Sequence, residues 1–187
     1  SPLIMTAMKL APALAAGCTV VAKPAETTPL TMLMLAELLS RAGLPDGVCN
    51  AVTGTGPAAG APLVADARVR HVTFTGSVAT GRKIGEVCGR NLVPFTLELG
   101  GKDPMIVLED ANLDRAAGGA VFGGIMNTGQ FCSGIERVYV VRAVADAFIE
   151  KVAARVQQLQ LGRDYGPFIF EGQADIVQQQ VEAAIAA

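Results

Sequence analysis

"HVTFTGSVATGRKIGEVCGRNLVPFTLELGG" runs from His71 to Gly101. Its first five residues, His71 to Thr75, are rich in β-branched and aromatic side chains and read as a strand. Gly76 makes the turn, and Ser77 can cap a helix that begins at or just after it. A second strand covers Pro94 to Leu99 and stops at Gly100 and Gly101. On that strand Phe95 and Leu97 share one face, while Thr96 and Glu98 share the other. Strand, helix and strand in so short a span imply parallel pairing with the helix packed across it.

The same alternation extends in both directions. Upstream, a helix-like stretch covers about Ile4 to Ala16, followed by a short buried strand from Thr19 to Lys23. The next helix has Thr28 as a possible cap and Pro29 at its first position, and is ended by Gly43 and Pro45. A strand from Val48 to Val52 then runs into the glycine-rich "TGTGPAAG", Thr53 to Gly60. Downstream of Lys102 the composition changes. A strand "MIVLE" and a glycine-rich helix from Asn112 to Met126 lead to the loop "NTGQFCSG", Asn127 to Gly134. A strand from Arg137 to Val141 and two helices, about Val144 to Gln158 and Gly172 to Ala186, close the chain. The expected class is α/β with a doubly wound, mainly parallel sheet. The expected domains are 1–101 and 102–187.

Composition narrows the function. Of 187 residues 51% are hydrophobic, enough for a sizeable core, and the net charge of −2 gives no electrostatic reason to expect nucleic acid or an anionic membrane as partner. The four cysteines, at 18, 49, 88 and 132, show no metal-like spacing, and a single histidine cannot supply a metal cluster. A disulfide framework is unexpected, which points to a reducing, cytoplasmic setting. The apolar N-terminal run superficially imitates a lipoprotein signal. It has no initiator Met and no preceding basic stretch, Lys9 interrupts it, and it is too short to span a bilayer. A chain opening on "SP" straight into such a helix is expected to be the middle of a longer protein.

Four stretches carry candidate chemistry. "TGTGPAAG" reads G-x-G-x-x-x-G, a near miss to the dinucleotide fingerprint, with Gly56 and Gly60 placed to let backbone approach a pyrophosphate; taken alone, a tight βα turn is the simpler reading. Gly76 and Ser77 form a second loop of the same kind, and two of them at successive strand ends favour a ligand at the carboxyl edge of the sheet. Lys23 and Glu26 put a cation and a carboxylate at a strand end, suited either to ribose hydroxyls or to a solvated ion pair. Glu98, at the end of a strand before two glycines, is a general-base candidate or an exposed strand-end residue. Cys132 stands among small and polar residues in a loop, whereas Cys18, Cys49 and Cys88 read as structural thiols in strand, strand and helix.

"KLAPALAAGCTVVAKPAETTPLT", "GLPDGVCNAVTGTGPAAG", "HVTFTGSVATGRKI", "TLELGGKDPMIVLEDANLD" and "NTGQFCS" occur in this order, with Glu98 and Cys132 separated by 34 positions. Together they closely resemble the NAD(P)-dependent aldehyde dehydrogenase superfamily, almost continuously from Pro2 to about Val156. The resemblance implies a Rossmann-like cofactor domain, incomplete at its N-terminal side, followed by the start of an α/β catalytic domain. It implies that Cys132 is the nucleophile, Glu98 the activator of the hydrolytic water, Lys23 and Glu26 the ribose-binding pair, and Gly76 and Ser77 the pyrophosphate turn. Asn127 is assigned a structural role. The implied cofactor is NAD, with NADP disfavoured by the charge of Glu26. The implied substrate is a small aldehyde, oxidised to the acid through a cysteine hemithioacetal and a thioester, and the implied full-length protein is a homo-oligomer.

Relative to that family the chain is short. An asparagine expected just before Ser1 and a later ribose-gripping glutamate lie outside it, and "LQLGRDYGPFI" is shorter than the corresponding family loop. The 187-residue chain alone is therefore expected to be inactive. The alternative is a non-catalytic nucleotide-binding or interaction module derived from such an enzyme; intact Lys23, Glu26, Glu98 and Cys132 argue for the oxidoreductase.

Overall fold

The computed structural model describes residues 2–186. The chain divides into two compact units, Ser1–Leu99 and Gly100–Ala187. Every ladder between named strands is parallel, and the strands alternate with helices, as the α/β reading requires. Among the described residues the pairing takes the form of three two-stranded sheets, without a ladder joining the first pair to the second.

In the first unit, helix α1 (Pro2–Ala15) buries Leu10 and leads to β1 (Val20–Ala22). β1 pairs with β2 (Cys49–Ala51), Ala22 opposite Ala51. Both strands are shorter than the sequence suggests, so Lys23 and Val52 lie just past the regular ladder. Helix α2 (Leu30–Arg41) intervenes. The expected Thr28 cap is not made: Pro29 already has helical dihedrals, and its carbonyl accepts from the N–H groups of Met32 and Leu33. The helix ends as expected, with Gly43 at φ +92° and the Leu44 N–H bonded back to the Leu39 carbonyl.

β3 (Val72–Gly76), α4 (Val78–Asn91) and β4 (Phe95–Leu99) form the βαβ unit read from His71 to Gly101, and β3 pairs in parallel with β4. The packing of α4 on β4 explains two helical glycines. A Cβ on Gly81 would sit 2.8 Å from Leu99 Cδ2, and one on Gly85 would sit 3.6 Å from the Phe95 ring. Phe95 and Leu99 therefore point to the helix side, which leaves Glu98 on the opposite face and exposed. Cys88 of α4 is completely buried.

In the second unit, β5 (Asp103–Val107) pairs with β6 (Ile135–Val140), Val107 opposite Val140. β5 starts earlier than "MIVLE" and stops at Val107, because a turn closed by the Ala111 N–H on the Leu108 carbonyl brings the chain to α5 (Leu113–Ile125). β6 likewise starts at Ile135 rather than Arg137. The Asn112 side chain caps α5 by accepting from the Arg115 N–H at 3.0 Å. α6 (Arg142–Val156) follows β6 directly and packs on α5; Val107, Ala117 and Phe148 form the core between sheet and helices. α7 (Gln173–Ala186) buries none of its described side chains. Among the described residues no helix is long and apolar enough to cross a membrane.

Candidate active site

The candidate residues of the first unit gather at the carboxyl ends of its strands. Lys23 follows β1 and the loop from Thr53 to Gly60 follows β2. Because these strands run parallel and in register, the two loops emerge side by side. The Lys23 side chain, only 16% exposed, joins them: its ammonium donates to the carbonyls of Pro24 at 2.6 Å and Gly54 at 3.1 Å and lies 3.6 Å from the Glu26 carboxylate. Its stem crosses Gly60, where an added Cβ would meet Lys23 Cδ and Cε at 3.5 Å.

Glu26 is 54% exposed and turns its carboxylate outward. Its own backbone N–H, the Lys23 ammonium and, most weakly, the Gly56 N–H hold that carboxyl below the usual carboxylate range. The loop itself forms a single π-turn, Gly56–Gly60, opened by Thr55, whose hydroxyl accepts from the Ala58 N–H; a short helix α3 (Ala61–Ala65) continues it. Gly56 faces open space. Lys23, Glu26, Gly56 and Gly60 thus form one local cluster.

Gly76 and Ser77 follow β3. Ser77 caps α4, its Oγ accepting from the Thr80 N–H at 3.2 Å and donating to Thr80 Oγ1 at 3.0 Å. The N–H groups of the first turn of α4 have no acceptor within the helix, which is the ordinary condition of a helix N-terminus. The Phe74 ring folds back over Gly76 and occupies the space a side chain would take there. Glu98 pairs with Thr75 across the ladder, so its carboxylate belongs to the same strand edge as the Gly76–Ser77 turn.

Cys132 lies in the second unit, on an exposed turn closed by the Gly134 N–H on the Phe131 carbonyl. Its Sγ is 3.7 Å from Ser133 Oγ. The turn is held at both sides. Behind it, Ile135 packs onto α5 where Gly123 leaves room: a Cβ there would stand 2.5 Å from Ile135 Cδ1. Before it, Asn127, Thr128 and Gly129 adopt left-handed dihedrals, φ +53°, +60° and +70°. Such a conformation costs a non-glycine residue on the order of 1–3 kcal/mol, more readily tolerated by asparagine than by a β-branched threonine. Asn127 Nδ2 donates to the Gln130 carbonyl at 2.9 Å, and Gln130 Nε2 returns a bond to the Asn127 carbonyl at 3.0 Å.

The other thiols differ from expectation in one case. Cys88 is buried and Cys49 half-buried, and burial pushes both thiols up from their ordinary pKa. Cys18, expected in a strand, instead stands exposed between α1 and β1. The strand begins two residues later, at Val20, because the turn after Ala15 is closed by the Cys18 N–H on the Ala13 carbonyl. Exposure alone therefore does not single out Cys132; the built loop around it does. Sequence reasoning missed Thr128 and Gln130, which tie that loop down, and the only signal was polar side chains on both sides of Gly129.

A parallel α/β chain with glycine turns at its strand ends and a fixed loop thiol does not by itself name a function; comparison with known proteins makes it specific. The aldehyde dehydrogenase family model matches residues 1–187, and the chain belongs to that family. It is 43% identical over 98% of its length to a glutarate-semialdehyde dehydrogenase of Pseudomonas putida, of which it covers 40%. It is 42% identical, with a TM-score of 0.95, to an NADP-dependent enzyme of E. coli, 99% of this chain covering 40% of that one. The NAD⁺ complex of a Bacillus cereus aldehyde dehydrogenase is 41% identical with a TM-score of 0.92, over 97% of this chain and 38% of that one. The chain spans about two fifths of the length of the relatives it matches.

Proposed function

We propose that this chain supplies the nucleophile, the general base and a large part of the dinucleotide-binding edge of an enzyme that oxidises an aldehyde to its carboxylic acid with NAD(P). The observation that carries the reading is Cys132, an exposed thiol on a turn fixed between a tethered left-handed segment and the first residue of β6.

The residues present suit a dinucleotide. The outward carboxylate of Glu26 can accept from ribose hydroxyls. Gly56 has open space for a close backbone approach, and the start of α4 offers N–H groups and the positive end of a helix to a phosphate. Lys23, with two carbonyls and Glu26 on its ammonium, chiefly holds the two loops in place and can offer a ribose only part of its donor capacity. Residues 1–101 are accordingly assigned to the cofactor-binding domain and 102–187 to the catalytic domain, within two residues of the division between the compact units.

In the proposed reaction the Cys132 thiolate forms a C–S bond to the aldehyde carbon, and the carbonyl oxygen becomes an alkoxide, for which the Cys132 backbone N–H is a suitable donor. The alkoxide re-forms the C=O bond as a hydride leaves that carbon, giving the thioester; a dinucleotide held by Glu26 and the start of α4 would supply the hydride acceptor. Glu98 then takes a proton from water as its oxygen bonds to the thioester carbon, and the C–S bond breaks to return Cys132 as thiolate. A reducing, cytoplasmic location suits a mechanism that needs a free thiol, and a homo-oligomer is the proposed state of the full-length protein.

The test is made in the full-length enzyme. Cys132→Ala should abolish NADH formation from aldehydes, since deleting a nucleophile costs on the order of 10⁶ in kcat. Cys18→Ala, which removes the other exposed thiol, should leave it intact. Retained turnover in Cys132→Ala would reject the assignment.

A further inference from the structure

Thr128 lies four residues before Cys132, half-buried, at φ +60° and ψ +36°. Its hydroxyl makes a reciprocal pair with one distant peptide: Oγ1 donates to the Gly166 carbonyl at 2.9 Å and accepts from the Gly166 N–H at 3.1 Å. Gln130 repeats the pattern, its Oε1 accepting from the Ile169 N–H at 2.9 Å while its Nε2 holds the Asn127 carbonyl. Both ties cross nearly forty positions of sequence to the same segment. That segment is braced within itself: the Gly162 N–H donates to the Tyr165 carbonyl at 2.8 Å, and the Asp164 carboxylate accepts from the Gln160 N–H at 2.9 Å.

We infer that Thr128 is a positioning residue for Cys132, holding the nucleophile's loop against the 160–169 segment through its hydroxyl. The inference rests on the proposed role of Cys132. A β-branched residue does not stay left-handed by local preference, so the conformation persists because the two bonds to Gly166 over-determine it. With those bonds gone, the Gln130 bond to Ile169 is the remaining side-chain tie described between this loop and the 160–169 segment, and the loop is free to shift. The turn carrying Cys132, closed by a single bond between Gly134 and Phe131, moves with it. Thr128 touches no reacting atom in this scheme. Its effect is on where Sγ stands.

Three variants of the full-length enzyme separate tether from conformation. Thr128→Val keeps the shape and removes the hydroxyl. Thr128→Gly also removes it but accepts the left-handed dihedrals freely, so it folds even where valine does not. Thr128→Ser restores the hydroxyl. Val and Gly should each lower kcat by about 10- to 10²-fold with KM for aldehyde unchanged, the range expected when a reacting group is displaced by about 1 Å. The iodoacetamide rate of Cys132 relative to Cys18, an exposed reference thiol in the other unit, should depart from wild type in both, and Ser should restore both readouts. Wild-type kcat and a wild-type labelling ratio in Thr128→Gly would overturn the inference. Loss of activity in Val and Gly without rescue by Ser would overturn it too. Should Cys132→Ala retain turnover, the proposed function fails instead, and the labelling ratio still decides whether Thr128 sets the position of the thiol.

Discussion

The two units keep order by different means. The second gathers Val107, Ala117 and Phe148 into one cluster, with Met105, Leu113, Val140 and Val152 packed around it. The buried apolar residues of the first, Leu10, Met32, Val72 and Cys88, come one each from four elements. Polar ties hold loops in both units, the Lys23 clasp and the Ser77 cap in the first and the Thr128 and Gln130 bonds in the second. The contrast extends to backbone strain. In the first unit the only non-glycine described residue with positive φ is Leu92, at the end of α4, whereas the second carries two in succession just before Cys132. The second unit holds its strained loop through the Thr128 and Gln130 bonds to the 160–169 segment; the glycines at the first unit's candidate site need no such support.

Removing one buried side chain from each unit tests this difference most directly. Phe148→Ala should cost about 3–5 kcal/mol, because a 4% exposed ring sits within a cluster that cannot collapse into the gap. Met32, 2% exposed, is joined by no other fully buried apolar residue in a cluster among the described residues, and Met32→Ala should fall at the low end for its type, about 2 kcal/mol. Urea midpoints of the two variants check the order, and a larger loss for Met32→Ala would refute the difference in core construction.

A second test addresses the polar ties. Glu26→Gln removes a charge that would face a 2′-phosphate. Two like charges about 4 Å apart cost ~1 kcal/mol in water and ~4 at an effective dielectric near 20, equivalent to roughly tenfold to several hundredfold. The full-length enzyme should therefore prefer NAD, and Glu26→Gln should raise kcat/KM with NADP within that range while leaving NAD less affected. Equal use of both cofactors by the parent enzyme would remove Glu26 as the discriminator.

These tests also mark how far the sequence could be read. The βαβ unit from His71 to Gly101 was legible because its signals are local: a β-branched strand, a glycine turn, a serine cap and two terminating glycines. Lys23, Glu26, Gly56 and Gly60 were legible as loop chemistry, but not the bond that joins Lys23 to the Gly54 carbonyl, which depends on β1 and β2 pairing in register. Cys132 stood out by its neighbours. Thr128 did not, since threonine has no propensity for a left-handed turn and its partner, Gly166, lies 38 positions away. Cys18 was misplaced because two residues at a strand start decide between a ladder and a loop. Glycine is a weak helix former, and the presence of Gly123 in α5 is explained only by Ile135, which needs the space there.

The two helix caps offer a finer comparison. Ser77 and Asn112 each accept one N–H at the start of a helix, from Thr80 and Arg115. Replacing either by alanine should cost about 1 kcal/mol of stability. In the full-length enzyme only Ser77→Ala should also raise KM for the dinucleotide, because only that helix start belongs to the candidate cofactor edge. Equal kinetic effects from both would mean that the Gly76–Ser77 turn is a cap and nothing more.

The smallest expected effect lies on the surface of the second unit. Lys151 Nζ of α6 donates to Asp114 Oδ1 in the first turn of α5 at 2.7 Å, and Arg155 Nη2 donates to the Asp114 carbonyl at 3.1 Å. The Lys151 hydrogen bond, then its charge, and lastly the Arg155 charge hold the Asp114 carboxyl below the ordinary aspartate range. A carboxyl depressed in the folded state binds fewer protons there than when unfolded, so unfolding takes up a proton in the interval between the two pKa values. The stabilisation is therefore fully present above the unfolded value of about 3.9 and is lost as pH falls through the folded one. Asp114→Asn should flatten the acid limb of the stability curve below about pH 4 and leave a small deficit at neutral pH, because exposed pairs are weak and screened. Urea unfolding as a function of pH, repeated at high salt, is the measurement. An acid limb of unchanged slope in Asp114→Asn would show that the core, and not this tie between α5 and α6, carries the whole of the second unit's order.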